Sequence, residues 1–436
     1  MLAKLYKATK YFLKPPAFNF TAAHQHFTAS EMGEIKKLVG KSDNNIIAEY
    51  ERTFAALIGD GSCVSFSAAR MGFYSFMKSV GVGPGDEVIL TAFTCSVMAN
   101  AILKLGAVPV YSDIDAASLG SSPLEIERLV SNKTKMIVAQ HSFGIPCDIE
   151  SIVRIGEKNN IFVLEDCAIS LGSKINGRAV GTFGHGAIFS TDHTKPLNTM
   201  IGGLFYSGDT SLVAAVKCIR DDSAQLTQKH QQELWRRVII ERLLCRDYRL
   251  QYLKLVDYFY NLLERIHLLD GPFLTSDYSA LPQTGRYPYP SQMPTFLAFI
   301  GILQLRIWNR EVLDRVNFLE KLKLLLVENN MSALMPSAYF NTDLQIVPLR
   351  LALSFDGGKA FRAKLGALID IDGTWFLGPL IATPEDPISF GCDSEKLPVS
   401  RKTGRDIVNI PCNLGSAANK KILYNLAKII GKNNEI

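Results

Sequence analysis

Three polar residues stand where an α/β sheet would present them to a ligand. Asp166 comes just after the short apolar strand expected over Ile161–Leu164, in the run VLEDCAIS. Ser190 follows the strand expected over Ala187–Phe189, in FSTDHTKPLN, and Lys195 lies five residues further on, ahead of Ile201-Gly202-Gly203. Ligands of open parallel sheets bind outside the carboxyl ends of the strands, so these side chains can converge on one space. A lysine amine can hold an aldehyde as an imine. A carboxylate can keep a pyridine nitrogen protonated and so make the ring an electron sink. Pyridoxal 5′-phosphate (PLP) requires both. A fourth run, SFSAARMG at 65–72, turns a strand into a helix. Helix N-terminal amides bind phosphate, the small Ala68 and Ala69 leave room for it, and Ser190 can add a hydroxyl.

Each of these residues also has a plainer role available. An Asp after a buried strand is often a cap, and a lone loop lysine is often a solvated charge. Asp192 and His193 beside Ser190 suggest a hydrolase only weakly, because there is no G-x-S-x-G elbow. The glycines at 81, 83 and 85 precede a strand, whereas a dinucleotide fingerprint follows one.

The elements that would position these groups follow a regular order. Short, β-branched, apolar strands are expected over Cys63–Phe66, Glu87–Leu90, Val108–Tyr111, Met136–Ala139 and Ile161–Leu164, with helices between them. Unbroken apolar strands alternating with helices imply a mostly parallel sheet covered on both faces. Two further strands, at Ala187–Phe189 and Leu204–Tyr206, extend it. The stretch 211–285 changes character to long, charged helices, including WRRVIIERLL and LVDYFYNLLERI. Pro- and Tyr-rich sequence at 282–294 marks a boundary loop, and one long helix is expected over Leu297–Val327. The reading is an α/β protein. A large domain, 1–290, carries the sheet and a helical insertion at about 211–285. A smaller C-terminal α+β domain spans 291–436.

Composition narrows the class. The chain has 436 residues, 47% hydrophobic and 20% charged, enough for two cores. A net charge of +5 from 47 basic and 42 acidic residues, without a basic stripe, argues against nucleic acid. Eight scattered cysteines with no C-x-x-C fit reduced thiols in the cytoplasm and give no metal site. Residues 1–16 carry lysines and aromatics but lack the apolar region and cleavage site of a signal peptide. No stretch is long and apolar enough to be expected to span a membrane.

Several blocks, in order, resemble the DegT/DnrJ/StrS family of PLP-dependent sugar aminotransferases, of fold type I. They are GVGPGDEVILTAFTCSVMANAILKLGAVPVYSDID at 81–115, HSFGIPCDIESI at 141–152, VLEDCAISLGSKINGRAVGTFG at 163–184, FSTDHTKPLNTMIGG at 189–203 and IVNIPCNL at 407–414. The resemblance implies Lys195 at the Schiff-base position, Asp166 at the pyridine nitrogen and Ser190 at the phosphate. It places Ala69 and Arg70 on the phosphate loop. A lysine at 195 argues against the family's dehydratase branch, which carries His there. Also implied are glutamate as amino donor, a keto-sugar on a nucleotide carrier as acceptor, and a homodimer.

The chain departs from the family pattern in places. Cys95 stands where an aromatic ring stacks on the cofactor, with Phe93 nearby to replace it. Ile169 stands where a Gln reaches the ring hydroxyl. Pro290-Ser291-Gln292 replaces an Asn-Tyr-Arg whose Asn reaches the partner subunit's phosphate, with Ser291 as the substitute. These departures keep open a divergent, non-catalytic or regulatory relative. A nicotinamide dehydrogenase lacks its glycine fingerprint.

Overall fold

The computed structural model describes residues 16–431 apart from 22, 246–248, 266–270, 282–286, 367, 384 and 413–414. The N-terminal lysine-rich run up to residue 15, the 282–286 part of the Pro/Tyr-rich loop and Leu414 of the last family block lie outside the described residues.

The chain enters through two capped helices. In α1 (Ala29–Leu38), Thr28 Oγ1 accepts the Glu31 amide at 3.2 Å while the Glu31 carboxylate accepts the Thr28 amide at 2.7 Å. Such a reciprocal cap contributes about 1 kcal/mol. Asp43 caps α2 (Asn44–Ala55), whose Tyr50 and Phe54 are fully buried. The alternating region then folds as its pattern predicts. Strand β1 (Ser62–Phe66) leads to α3 (Ala69–Ser79), β2 (Glu87–Thr91) to α4 (Ser96–Leu103), and β3 (Val108–Ser112) to α5 (Pro123–Leu129). Then β4 (Thr134–Gln140) leads to α6 (Ile149–Asn159) and on to β5 (Phe162–Asp166). Helix α6 shows how the layers lock: Ile149, Ile152 and Ile155 recur at helical spacing on its buried face. A small hairpin, β6 (Lys174–Ile175) and β7 (Arg178–Ala179), precedes the last two sheet strands, β8 (Gly186–Ser190) and β9 (Gly203–Ser207).

The seven-stranded sheet has the order β1-β9-β8-β5-β4-β2-β3. Strands β3, β2, β4, β5 and β8 are parallel neighbours, and β9 runs antiparallel to both β8 and β1. All the parallel strands therefore point their carboxyl ends to one edge. The Gly202-Gly203 pair has a steric cause. Gly202 sits at φ +146°, and a Cβ on Gly203 would lie 2.3 Å from the Ala69 amide nitrogen. Only glycine lets β9 start beneath the N-terminus of α3.

The insertion comprises α7 (Thr210–Asp221), α8 (Gln228–Leu244) and α9 (Leu250–Arg265). The single long helix expected over Leu297–Val327 is two: α10 (Thr295–Leu305) and α11 (Trp308–Glu328). The break separates two burial environments. Helix α10 is buried nearly all round, in the cluster that holds Tyr50, Phe66 and Phe205, while Phe318, Leu322 and Leu326 of α11 belong to a second cluster. One straight helix could not place its apolar surface in both. The second cluster is built around the antiparallel pair β11 (Arg350–Ser354) and β12 (Ile407–Pro411), after the short β10 (Leu344–Gln345). Helices α12 (Gly358–Leu365), α13 (Pro398–Asp406) and α14 (Ser416–Gly431) complete this part. None of the described helices is long and apolar enough to cross a membrane.

Two seams join the parts next to the sheet's carboxyl edge. Asp113, just past β3, accepts the Val399 and Ser400 amides of α13, both at 2.8 Å. The Leu380 and Ile381 amides bond Ala92 O at 2.8 Å and Thr94 O at 2.9 Å, and Ile381 O accepts the Ser96 amide at 2.9 Å.

Candidate active site

A cavity of ≈ 160 Å³ lies at the carboxyl edge of the sheet. Asp166, Ser190, Lys195, Ala69, Arg70, Cys95 and Ile169, all singled out in the sequence, line it. Asp166 is the last residue of β5 and is 5% exposed. Its Oδ1 accepts the Ala168 amide at 3.0 Å. Burial pushes its carboxyl above the ordinary value, while the Ala168 hydrogen bond, Lys195 and His141 pull the other way. The strand end beside it is rigid. Glu165 accepts the amides of Gly181, Phe183 and Gly184 at 2.7–2.8 Å, and His141 Nε2 lies 3.1 Å from its second oxygen. These partners use up the carboxylate of the buried His141–Glu165–Cys167 group.

Lys195 sits in the loop between β8 and β9, where its amide bonds Asp192 O at 2.9 Å. Its Nζ lies 4.4 Å from the centre of the Trp375 ring. Burial pushes the amine below an ordinary lysine, opposed by Asp192, Cys95 and Asp166 and aided by Arg350. Burial alone would raise Asp192. The paired His193, at 3.2 Å, and the Thr194 amide hold it low instead.

The loop is braced from the N-terminal segment by His24, which is fully buried with Nε2 2.8 Å from Asn198 O. Burial pushes His24 down to about 4. Since the folded value is below the unfolded one, the neutral form's stability is present above about pH 6.5 and is lost as pH falls toward 4. That is of order 3 kcal/mol. We expect the urea midpoint of the wild type to fall between pH 7 and pH 5 by more than that of His24→Gln. Equal pH slopes in the two proteins would remove this account.

The N-terminus of α3 faces the cavity with Ala68 as N-cap and no side-chain cap on its amides. Ser190, at the end of β8, lines the same cavity as Ala68 and Ala69. An uncapped helix start beside a serine and two alanines is a suitable phosphate cradle. The Arg70 guanidinium does not join it. Nε pairs with Asp277 Oδ2 at 2.7 Å, Nη2 donates to Leu274 O at 3.0 Å, and the group lies 5.8 Å from the centre of the Tyr278 ring. Arg70 thus offers its place in the helix turn, while its charge anchors the insertion.

That anchoring explains a feature for which sequence offers no signal. Asn100 Nδ2 donates to Asp277 O at 2.6 Å and to Ser279 O at 2.7 Å, and Ser96 Oγ donates to Tyr278 O at 3.0 Å. The end of the insertion therefore folds back on α4 and brings Phe273, Leu274 and Tyr278 into the cavity wall. Trp375, Phe376 and Ile381 close it from the C-terminal part.

Two expectations are corrected here. Phe93 does not replace the missing ring, because its side chain is fully buried against Phe376, at 4.8 Å between centroids, outside the cavity wall. The rings at the cavity are Phe273, Tyr278, Trp375 and Phe376. Ser291 does not face outward toward another chain: it is fully buried, with its hydroxyl 3.4 Å from Met71 Sδ. The charged helices of the insertion also have buried charge, since α8 buries the Arg237–Glu241 pair at 2.7 Å. Cys95 lines the cavity as N-cap of α4, its thiol pushed up by burial, and brings no ring. Ile169 packs with Phe93, Phe143 and Phe376 and offers no polar group. Gln140, which sequence reading passed over, ends β4 in register with Asp166 and also lines the cavity. Its position at a strand's carboxyl end was the available signal.

Residues 33–254, just over half of the chain, match the DegT/DnrJ/EryC1/StrS aminotransferase family. The chain belongs to this family. It is 36% identical over 171 residues to the GDP-perosamine synthase of Escherichia coli O157:H7, covering 39% of this chain and 47% of that protein. It is 35% identical over 173 residues to the UDP-4-amino-4-deoxy-L-arabinose–oxoglutarate aminotransferase of Shewanella sediminis (strain HAW-EB3), covering 40% and 44%. The matched part spans about half the length of these curated relatives. Among solved structures, the aminotransferase from Psychrobacter cryohalolentis superimposes with a TM-score of 0.68 at 18% identity, over 94% of this chain and 99% of that one. This likeness extends the aminotransferase fold through the C-terminal part.

Proposed function

We propose that this chain is a PLP-dependent aminotransferase that moves an amino group from glutamate to a keto-sugar carried on a nucleotide, in surface-polysaccharide or amino-sugar synthesis. The observation that carries the reading is the meeting of Lys195 and Asp166 in one cavity that also receives an uncapped helix N-terminus. The residues fit the cofactor. Lys195 would hold its aldehyde, Asp166 its ring nitrogen, and the start of α3 with Ser190 its phosphate. Gln140 also lines this cavity, with its Nε2 held by Phe93 O at 2.7 Å and Ser142 Oγ at 2.9 Å. When bound, PLP supplies the aldehyde that carries the amino group and the ring that takes up electrons.

The chain's own groups do the rest. A buried Lys195 amine, its proton affinity lowered by burial, can take a proton at Nζ and return it. Asp166 presents a desolvated carboxylate that gains most when a cation faces it. Tyr278, Phe273, Trp375 and Phe376 keep water from the space between. The names of the two relatives above support a nucleotide-linked sugar and the glutamate–oxoglutarate pair as partners. We read the protein as cytoplasmic, with a large domain to residue 290 and a smaller one beyond.

The direct test is the visible absorbance of the purified protein with added PLP. A lysine-bound PLP band that glutamate converts to the pyridoxamine form is expected. Its absence in the wild type would overturn the reading. A homodimer belongs to the same proposal: light scattering should give twice the chain mass, and an active monomer would remove that part.

A further inference from the structure

Helix α9 of the insertion has its charge inside and its apolar surface outside. Lys254 pairs with Asp370 at 2.8 Å and Asp257 pairs with Arg237. Both line a second cavity, of ≈ 170 Å³, together with the buried Leu253. The large apolar residues point the other way. Tyr252, Leu255, Phe259 and Leu262 recur three and four apart, and they are 45, 40, 52 and 42% exposed. Gln251, Val256, Tyr258 and Leu263, half-buried, flank this stripe, and none of them is charged. The last turns of α8, which lead into α9, expose Ile239 and Leu243 as well. A helix on a globular protein normally buries its apolar face and leaves its charged one to water. An exposed apolar face of this kind marks a surface that something else covers.

We propose that α9 and the end of α8 dock on an anionic membrane surface, lying among the lipid headgroups without crossing the bilayer. Charge selects this occupant. The span 228–265 has eight basic and five acidic residues, and residues 1–15 have four lysines and no acid. That basic run leads into Asn19 and Phe20, which line the same cavity as Lys254 and Asp257, so the chain enters the fold beside α9. Arg236, on the same side of α8 as Ile239 and Leu243, is exposed, and so is Arg249 just ahead of α9. Basic residues held near an anionic surface add an attraction that fades within a Debye length. The make-up of the face agrees. Tyr252 and Tyr258, each with an apolar body and a polar tip, suit the headgroup level, and Leu255, Phe259 and Leu262 suit the acyl boundary. A helical protein partner is chosen by charges beside the apolar seam. Here the positions beside it, 251, 256, 258 and 263, carry none. The face therefore selects by apolarity alone, as a lipid interface does.

The proposal stands whether or not the aminotransferase reading holds. Its test is co-sedimentation of the full chain with vesicles of phosphatidylcholine, with and without phosphatidylglycerol, at low and high salt. The wild type should bind the phosphatidylglycerol vesicles at least about 10-fold more tightly than the neutral ones, and less tightly at high salt. The double variant Leu255→Glu/Phe259→Glu should lose binding while keeping the wild-type melting temperature, because both side chains are exposed. Lys7→Gln/Lys10→Gln should need about 30-fold more vesicles for half-binding. Phe259→Trp reports from α9 itself, and its added emission should move to the blue with anionic vesicles. No binding of the wild type, equal binding to neutral vesicles, full binding of the Leu255→Glu/Phe259→Glu variant or an unmoved emission would each overturn the proposal. If the wild type ignored vesicles and that double variant halved the mass seen by light scattering, a second copy would be the occupant and the membrane proposal would fall.

Discussion

Lys195→Ala abolishes amino transfer, with turnover falling by about 10⁴-fold or more. This is the largest effect expected of any single change, because one amine has two tasks. It anchors the aldehyde, and it moves a proton at the reacting carbon. The structure suits Nζ to both: buried, set over Trp375 at 4.4 Å, and near Asp192, Cys95 and Asp166. Burial lowers its proton affinity and the acidic neighbours limit the fall, which keeps the amine ready to accept or return a proton. Assayed with PLP and glutamate, the variant should lack the lysine-bound band, and a small free amine should restore part of the activity. Near wild-type turnover would show Lys195 to be an ordinary buried lysine.

Asp166→Ala should lower turnover by about 10²–10³-fold, on the scale of losing one preorganised charge at a reacting centre, while the protein stays folded. The physical case is the carboxylate's position. Asp166 is buried at a strand end, burial raises its pKa, and Ala168 N–H donates to it. A raised folded value means that the charged form is disfavoured by the fold at neutral pH, so truncation relieves that cost as it removes one hydrogen bond. The melting temperature should therefore change by only a few degrees. If Asp166 were merely a turn cap, the pattern would reverse: a loss of about 1 kcal/mol in stability with activity intact. Melting curves and turnover on the same preparation distinguish these outcomes.

What could be read from the chain alone divides by how local the cause was. Strands β2, β4 and β5 announce themselves because both their faces are buried, which demands unbroken apolar residues. Asp166, Ser190, Lys195 and Ala69 could be named because they sit at, or within a few residues of, the carboxyl end of such a strand. Strand geometry carries them there whatever the rest of the chain does. Even the Gly202-Gly203 pair, legible as a motif, has a local reason in the close pass beneath Ala69.

Other features had no local cause. Phe93 looked like a stacking ring by proximity in sequence, but the Phe376 ring, brought from the C-terminal part, packs on it and itself lines the site with Phe273, Tyr278 and Trp375. Arg70 was expected at the phosphate by its place in the turn. Its long side chain instead follows the charge of Asp277, more than two hundred residues away. The break between α10 and α11 has no proline or glycine to mark it and arises because two cores compete for one apolar stretch. Arg350 is likewise unremarkable within its strand. So the sequence by itself determined the parallel sheet and the groups at its carboxyl ends, since short-range periodicity and strand direction are properties of neighbouring residues. Only the tertiary structure decided which rings enclose those groups, where Arg70 points and that Arg350 meets rings and a carbonyl rather than a carboxylate among the described residues, because burial and charge pairing depend on residues that folding alone brings together.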